Sequence, residues 1–187
     1  MNVILFGPPG AGKGTQAKNL VKKLNSFQIS TGDMLRDEIQ KNSEIGKKIV
    51  EDMSDGRFVS DEIVNSLIEK LIFDPSKKNK LIFDGYPRSL TQAKNLEKLL
   101  EKTNQKIDFV FFLNVNKETI IKRIEQRKSI ENRSDDDLNT TVRRYDKYME
   151  TTKPVLDFYS KNSNFYELDG SSKIEEITAK INSFLNV

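Results

Sequence analysis

An α/β fold is predicted by three observations, with a five-stranded parallel sheet and helices on both of its faces. Short apolar runs alternate with amphipathic stretches along the chain. The runs Leu81-Ile82-Phe83 and Phe109-Val110-Phe111-Phe112-Leu113 are apolar at every position, so both faces of those strands need cover. The first run, Val3-Ile4-Leu5-Phe6, passes straight into a glycine-rich turn and then a helical pattern. Strands that alternate with helices in this way form β–α–β units with right-handed crossovers.

In chain order, the pattern predicts strands at 2–6, 27–29, 80–84, 107–113 and 164–168. Helices are predicted at 13–25, 30–41, 43–54, 60–73, 89–102, 116–128, 137–161 and 173–185. Ser30 is a hydroxyl cap candidate for the second of these. Three helical patterns follow one another before the strand at 80, so 30–59 reads as a helical subdomain inserted over the sheet edge. Residues 126–136 are polar, break the helices on either side, and read as a mobile surface loop. Pro154 is expected to kink or interrupt the long helix at 137–161.

Composition narrows the chemistry. The chain has 187 residues, enough for one domain, with 36% hydrophobic and 32% charged residues. Cysteine and histidine are both absent, which excludes disulfides, thiolate and zinc sites, and a histidine general base. The net charge of +3 is too mild to imply nucleic acid. No apolar run is long enough for a membrane span, and the N-terminus reads as a strand instead of a signal peptide. A soluble cytoplasmic protein is expected. Only eight of the 31 basic residues are arginine, and five of these lie between 123 and 144. Lysine solvates the surface here, and arginine is kept for places that need a planar two-donor cation, such as phosphate. A solvated basic helix face is the plainer alternative for the cluster.

Gly7-Pro-Pro-Gly-Ala-Gly-Lys-Gly-Thr15 fits the phosphate-loop template G-x-x-x-x-G-K, between a strand and a helix. Backbone N–H groups and a helix N-terminus converge there on one point, and Lys13 adds a mobile cation. The residue after the lysine is Gly14, and the hydroxyl follows at Thr15, so a direct hydroxyl ligand to magnesium is missing. Asp84 ends the third strand facing this loop, where a carboxylate can hold magnesium directly or through water. Arg88 follows at a helix start and points into the same cleft. Arg123 and Arg127 share a helix face.

The chain resembles the adenylate kinase family along nearly its whole length. The resemblance is carried by the phosphate loop, Ser30-Thr-Gly-Asp-Met-Leu-Arg36, Gly56-Arg-Phe-Val59, Asp84-Gly-Tyr-Pro-Arg88 with Gln92, Arg123 with Arg127, and Arg133-Ser-Asp-Asp136 with Arg144. It implies a P-loop three-layer fold with 30–59 as the monophosphate-binding subdomain and 126–136 as a short lid. It also implies transfer of a phosphoryl group from MgATP to AMP, giving two ADP. Gly10, Ala11, Gly12, Lys13, Gly14 and Thr15 would bind ATP phosphates, with Arg123 and Arg127 beside them and Gly170 and Ser172 at the adenine. Thr31, Arg36, Arg57, Phe58, Val59, Gly85, Tyr86, Pro87, Arg88 and Gln92 would bind AMP, and Arg133 and Arg144 would reach both nucleotides. Lys13, Arg88, Arg123, Arg127, Arg133 and Arg144 would be the catalytic set. Asp84 would hold Mg2+ through water, and no zinc, nucleic acid or membrane partner is implied. A monomer is expected. UMP/CMP kinase is the alternative, because Arg133-Ser-Asp-Asp and Thr152-Lys-Pro-Val-Leu-Asp-Phe-Tyr159 resemble that branch, whereas Thr31 and Gln92 favour adenine. A non-catalytic nucleotide switch would not need the second arginine-rich site.

Overall fold

The computed structural model describes residues 1–131 and 138–186. Five parallel strands form one sheet in the order β2-β3-β1-β4-β5. They are β1 (Val3–Phe6), β2 (Phe27–Ser30), β3 (Leu81–Asp84), β4 (Phe109–Asn114) and β5 (Phe165–Asp169). Around them lie α1 (Lys13–Leu24), α2 (Thr31–Gln40), α3 (Glu44–Ser54), α4 (Asp61–Ile72), α5 (Leu90–Lys102), α6 (Lys117–Glu131), α7 (Leu138–Tyr159) and α8 (Ile174–Leu185). β1 lies between β3 and β4, with Leu5 in register with Asp84 on one side and Phe111 on the other. The strand order turns back at β1, so a crevice opens outside its carboxyl end.

Both faces of β1 are buried, which explains its unbroken apolar run. Ile4 and Phe6 join a core with Ile29, Phe83, Leu96, Val155 and Tyr159. Val3 and Leu5 join a second core with Ile82, Phe111, Leu113, Ile124 and Ile181. Sheet and helices therefore form three layers. At the far end from the crevice, the fully buried Asn2 ties the start of β3 to the segment before β4. Its Oδ1 accepts from the Leu81 N–H at 3.1 Å and its Nδ2 donates to the Lys106 carbonyl at 3.0 Å. Asn2→Ala leaves two backbone groups unpaired and is expected to cost about 2–4 kcal/mol. Urea unfolding checks this, and a loss well under 1 kcal/mol contradicts it.

Two expectations are corrected. Helix α7 continues through Pro154 to Tyr159 without interruption. Pro154 is on the exposed side, while Thr152, Val155 and Tyr159 are buried around it and hold the turn. Helix α6 runs to Glu131, so the first part of 126–136 is helical and not loop. Lys128-Ser-Ile-Glu131 contains no glycine or proline to stop it. The remainder of that stretch, Arg133 included, lies outside the described residues.

Helices α2 and α3 pack closely beside the sheet edge. A Cβ on Gly46 would come within 2.1 Å of the Glu38 carbonyl oxygen, so only glycine allows this approach. Ser30 caps α2 by accepting from the Asp33 N–H at 3.3 Å. This cap fixes the helix start that carries Thr31 and Arg36.

Candidate active site

The crevice outside β1 is a cleft of about 600 Å³, within the range that suits a nucleotide-sized ligand. Gly10 to Thr15 form one wall, with Asp84, Arg88, Arg123, Arg127 and Arg144 around it and Ser172 at its rim. Helix α1 begins at Lys13 after Gly12, whose φ of 94° is left-handed, and no side chain caps it. The first-turn N–H groups therefore have no side-chain acceptor, which leaves them suited to an anion. The Lys13 ammonium is folded back onto its own loop and donates to the Gly7 carbonyl at 2.8 Å and the Pro8 carbonyl at 3.0 Å. Arg123 reaches across from α6 to the Ala11 carbonyl at 3.4 Å. Asp84 accepts from the Gln28 amide at 3.0 Å.

A second, smaller pocket of about 40 Å³ adjoins the first. Its walls include Thr31, Arg36, Phe58, Val59, Gly85 and Gln92. Arg36, Arg88 and Arg144 line both pockets. Gly85 has a φ of 76°, and a Cβ there would lie 2.8 Å from the Arg88 guanidinium. That turn lets Arg88 Nε donate to the Gly85 carbonyl at 2.7 Å, while its guanidinium lies over the Phe58 ring at 4.9 Å. Thr152 from α7 donates to the Arg88 carbonyl at 3.3 Å. Gly56 approaches Thr140 and Arg144, so the segment after α3 touches α7.

The electrostatics of this meeting point are one-sided. Burial pushes the Lys13 ammonium down to about 8, with Arg88, Arg144 and Arg127 adding to the effect and Asp84 opposing it. Burial also brings Arg88 down to about 10, helped by Arg144 and Arg36 and again opposed by Asp84. Lys13 and Arg88, buried and with further cations around them, make a site suited to phosphate oxygens.

Most of the expected residues converge here, with some departures. The Tyr86 side chain points away into the core, and its hydroxyl donates to Asn65 Oδ1 at 2.7 Å. Pro87 lines a small cavity behind Lys13 and Arg88. Arg57 borders the second pocket but pairs with Asp52 and Asp55 at 2.9 and 3.2 Å. Gly170 is packed against Val115, where a Cβ would come within 2.4 Å, and its N–H donates to the Asn114 carbonyl. Ser172 reaches the cleft rim and Gly170 does not. Gln28, Asp61 and Tyr148 were not singled out from the sequence, and Ser89 and Thr152 entered only as a helix start and as part of the stretch that resembles the pyrimidine branch. Ser60-Asp61 and Ser89 at helix starts were local signals, and they indicate no more than caps. Among the described residues, no group of three or more His, Cys, Asp or Glu could hold a metal. No described helix is long and apolar enough to cross a membrane.

The adenylate kinase family model matches residues 5–164. A protein from Pelagibacter ubique named adenylate kinase is 48% identical over the whole of both chains. One of the same name from Mycoplasma capricolum is 40% identical, again over the whole of both chains. A third, from Hyphomonas neptunium, is 42% identical over 99% of this chain and 98% of its own. With this coverage and a five-stranded phosphate-loop sheet of matching kind, the chain belongs to the adenylate kinase family.

Proposed function

We propose that this protein catalyses MgATP + AMP ⇌ 2 ADP, with ATP in the larger cleft and AMP in the smaller one. The observation that carries this reading is that two pockets, one of them a phosphate loop, meet at the shared cations Arg36, Arg88 and Arg144. A nucleotide switch needs one such pocket, whereas phosphoryl transfer between nucleotides needs two. A pyrimidine acceptor gains no support from the relatives, which are named adenylate kinase. The reading places the enzyme in nucleotide biosynthesis, as a cytoplasmic monomer.

The loop N–H groups and Lys13 bind the ATP phosphates, and Arg36 and Arg88 bind the AMP phosphate. Lys13 leaves its carbonyl partners when an anion with stronger acceptors arrives. Arg88 and Arg144 then lie between donor and acceptor and hold the transferring charge. Positioning and charge stabilisation carry this chemistry, and no general base is required. Asp84 would hold magnesium through water, and the ion would supply neutralisation of phosphate charge. Arg123 and Arg127 border ATP from α6. Residues 30–59 form the subdomain that closes on AMP. The Pelagibacter alignment runs over 213 positions against 187 residues here, which supports a chain with less inserted sequence than that relative.

Lys13 works as an ammonium, and its pKa in the free protein is lowered to about 8. The proton is therefore held below that pH and lost above it. The profile of kcat/KM for ATP should fall on an alkaline limb near pH 8, and kcat should hold to higher pH because bound phosphates favour the charged form. A flat kcat/KM up to pH 10 contradicts this role.

Gln92 is 4% exposed at the wall of the smaller pocket, one helical turn past Arg88. Its position suits an amide that reads the adenine edge. Gln92→Ala should narrow the preference for AMP over UMP by about tenfold or more. The ratio of kcat/KM values measures this. An unchanged ratio removes the base-reading role but leaves the enzyme assignment intact.

A further inference from the structure

We propose that Asp61 is a positioning residue that locks the Gln92 amide in the one orientation that accepts a 6-amino purine and rejects a 6-oxo purine. The proposal rests on the reading of the smaller pocket as the AMP site. Asp61 opens α4 and reaches across to α5. Its Oδ1 accepts from Gln92 Nε2 at 2.6 Å, and its Oδ2 accepts from Ser89 Oγ at 2.6 Å. On the other side of the amide, Gln92 Oε1 accepts from the Arg88 backbone N–H at 2.7 Å.

These two partners differ from most that a glutamine meets. A carboxylate can only accept, and a peptide N–H can only donate. A flipped amide would set its oxygen against the Asp61 carboxylate and its NH2 against the Arg88 N–H. Both anchors therefore select the same orientation. Gln92 is buried, so water cannot compensate a mismatch.

One N–H of Nε2 and one lone pair of Oε1 remain for a ligand. They match a base edge with a ring-nitrogen acceptor beside an amino donor. Adenine has that edge. A 6-oxo purine offers a ring N–H beside a carbonyl and matches only the flipped amide. A loosely held glutamine could turn to serve either base. Asp61 removes that tolerance without touching the nucleotide.

The test compares AMP with IMP, which differ at this edge, as acceptors by the ratio of their kcat/KM values. It uses wild type, Asp61→Asn, Asp61→Ala, Ser89→Ala and Gln92→Ala, each first checked for folding by thermal melting. The AMP-to-IMP ratio should fall about tenfold in both Asp61 variants, with KM for ATP unchanged. Ser89→Ala loses the α5 cap and one Asp61 contact but keeps both amide partners, so its ratio should stay at the wild-type value. A ratio that drops in Gln92→Ala but holds in folded Asp61 variants overturns the lock and leaves the AMP reading standing. Equal drops in Ser89→Ala and the Asp61 variants show general loosening and also overturn it. An unchanged ratio in Gln92→Ala removes the base-reading role of Gln92, and the lock falls with it.

Discussion

Lys13→Ala is expected to lower kcat by about 10³-fold or more while the protein stays folded. Lys13 is the cation held within the phosphate loop, bonded to Gly7 and Pro8 and bordering the larger cleft. Charge stabilisation is the main catalytic contribution in phosphoryl transfer, and the arginines around the cleft do not reach from within the loop as this ammonium does. The fold does not depend on it. Burial lowers its pKa, which means the folded state disfavours the charged form. Between about pH 8 and the ordinary lysine value the unfolded chain binds the proton more, so stability attributable to this group rises with pH across that window. At neutral pH, removing the ammonium relieves the folded state of a buried charge, and the melting temperature should hold or rise. The measurement pairs a coupled rate assay with a thermal melt. Retention of more than a tenth of the wild-type rate would falsify the catalytic role, and a lost melt would make Lys13 a folding residue.

Arg88→Lys should be nearly as severe, with a loss of about 10²–10³-fold in kcat/KM for AMP, although the charge is kept. Arg88 uses its donors in fixed directions. Nε is committed to the Gly85 carbonyl, and the planar group lies over Phe58. The fork that remains faces the junction of the two pockets. Lysine supplies one ammonium point, cannot span donor and acceptor oxygens together, and packs less well on the ring. Isothermal titration with AMP and a turnover assay separate binding from transfer. Wild-type turnover in Arg88→Lys would reduce Arg88 to a helix-start residue.

Much of this arrangement was legible in the sequence because it is local. The phosphate loop joins a buried strand to a helix within a few residues, and its glycines and lysine fix the geometry without help from elsewhere. The strands β1, β3 and β4 were found because runs apolar on both faces leave few alternatives. Their order in the sheet was not legible. It depends on which face each crossover helix covers, and that is a tertiary matter. The continuity of α7 through Pro154 was missed for the same reason, since the burial of Thr152, Val155 and Tyr159 outweighs one lost bond. The carbonyl partners of Lys13 also could not be read, because they depend on how the loop folds back over the start of α1. Asp61 was missed because it meets Gln92 across 31 residues of sequence. A carboxylate at a helix start looks like an ordinary cap until α5 is laid against α4.

One acceptor panel tests the central claim most directly. With MgATP as donor, AMP, UMP, CMP and GMP are offered in turn and ADP formation is followed by a coupled assay. Transfer to AMP should exceed that to every other acceptor by about 10²-fold or more in kcat/KM, because a base site left with unpaired buried groups discriminates strongly. Preference for UMP or CMP, or no transfer to any acceptor from a folded protein, would contradict the account.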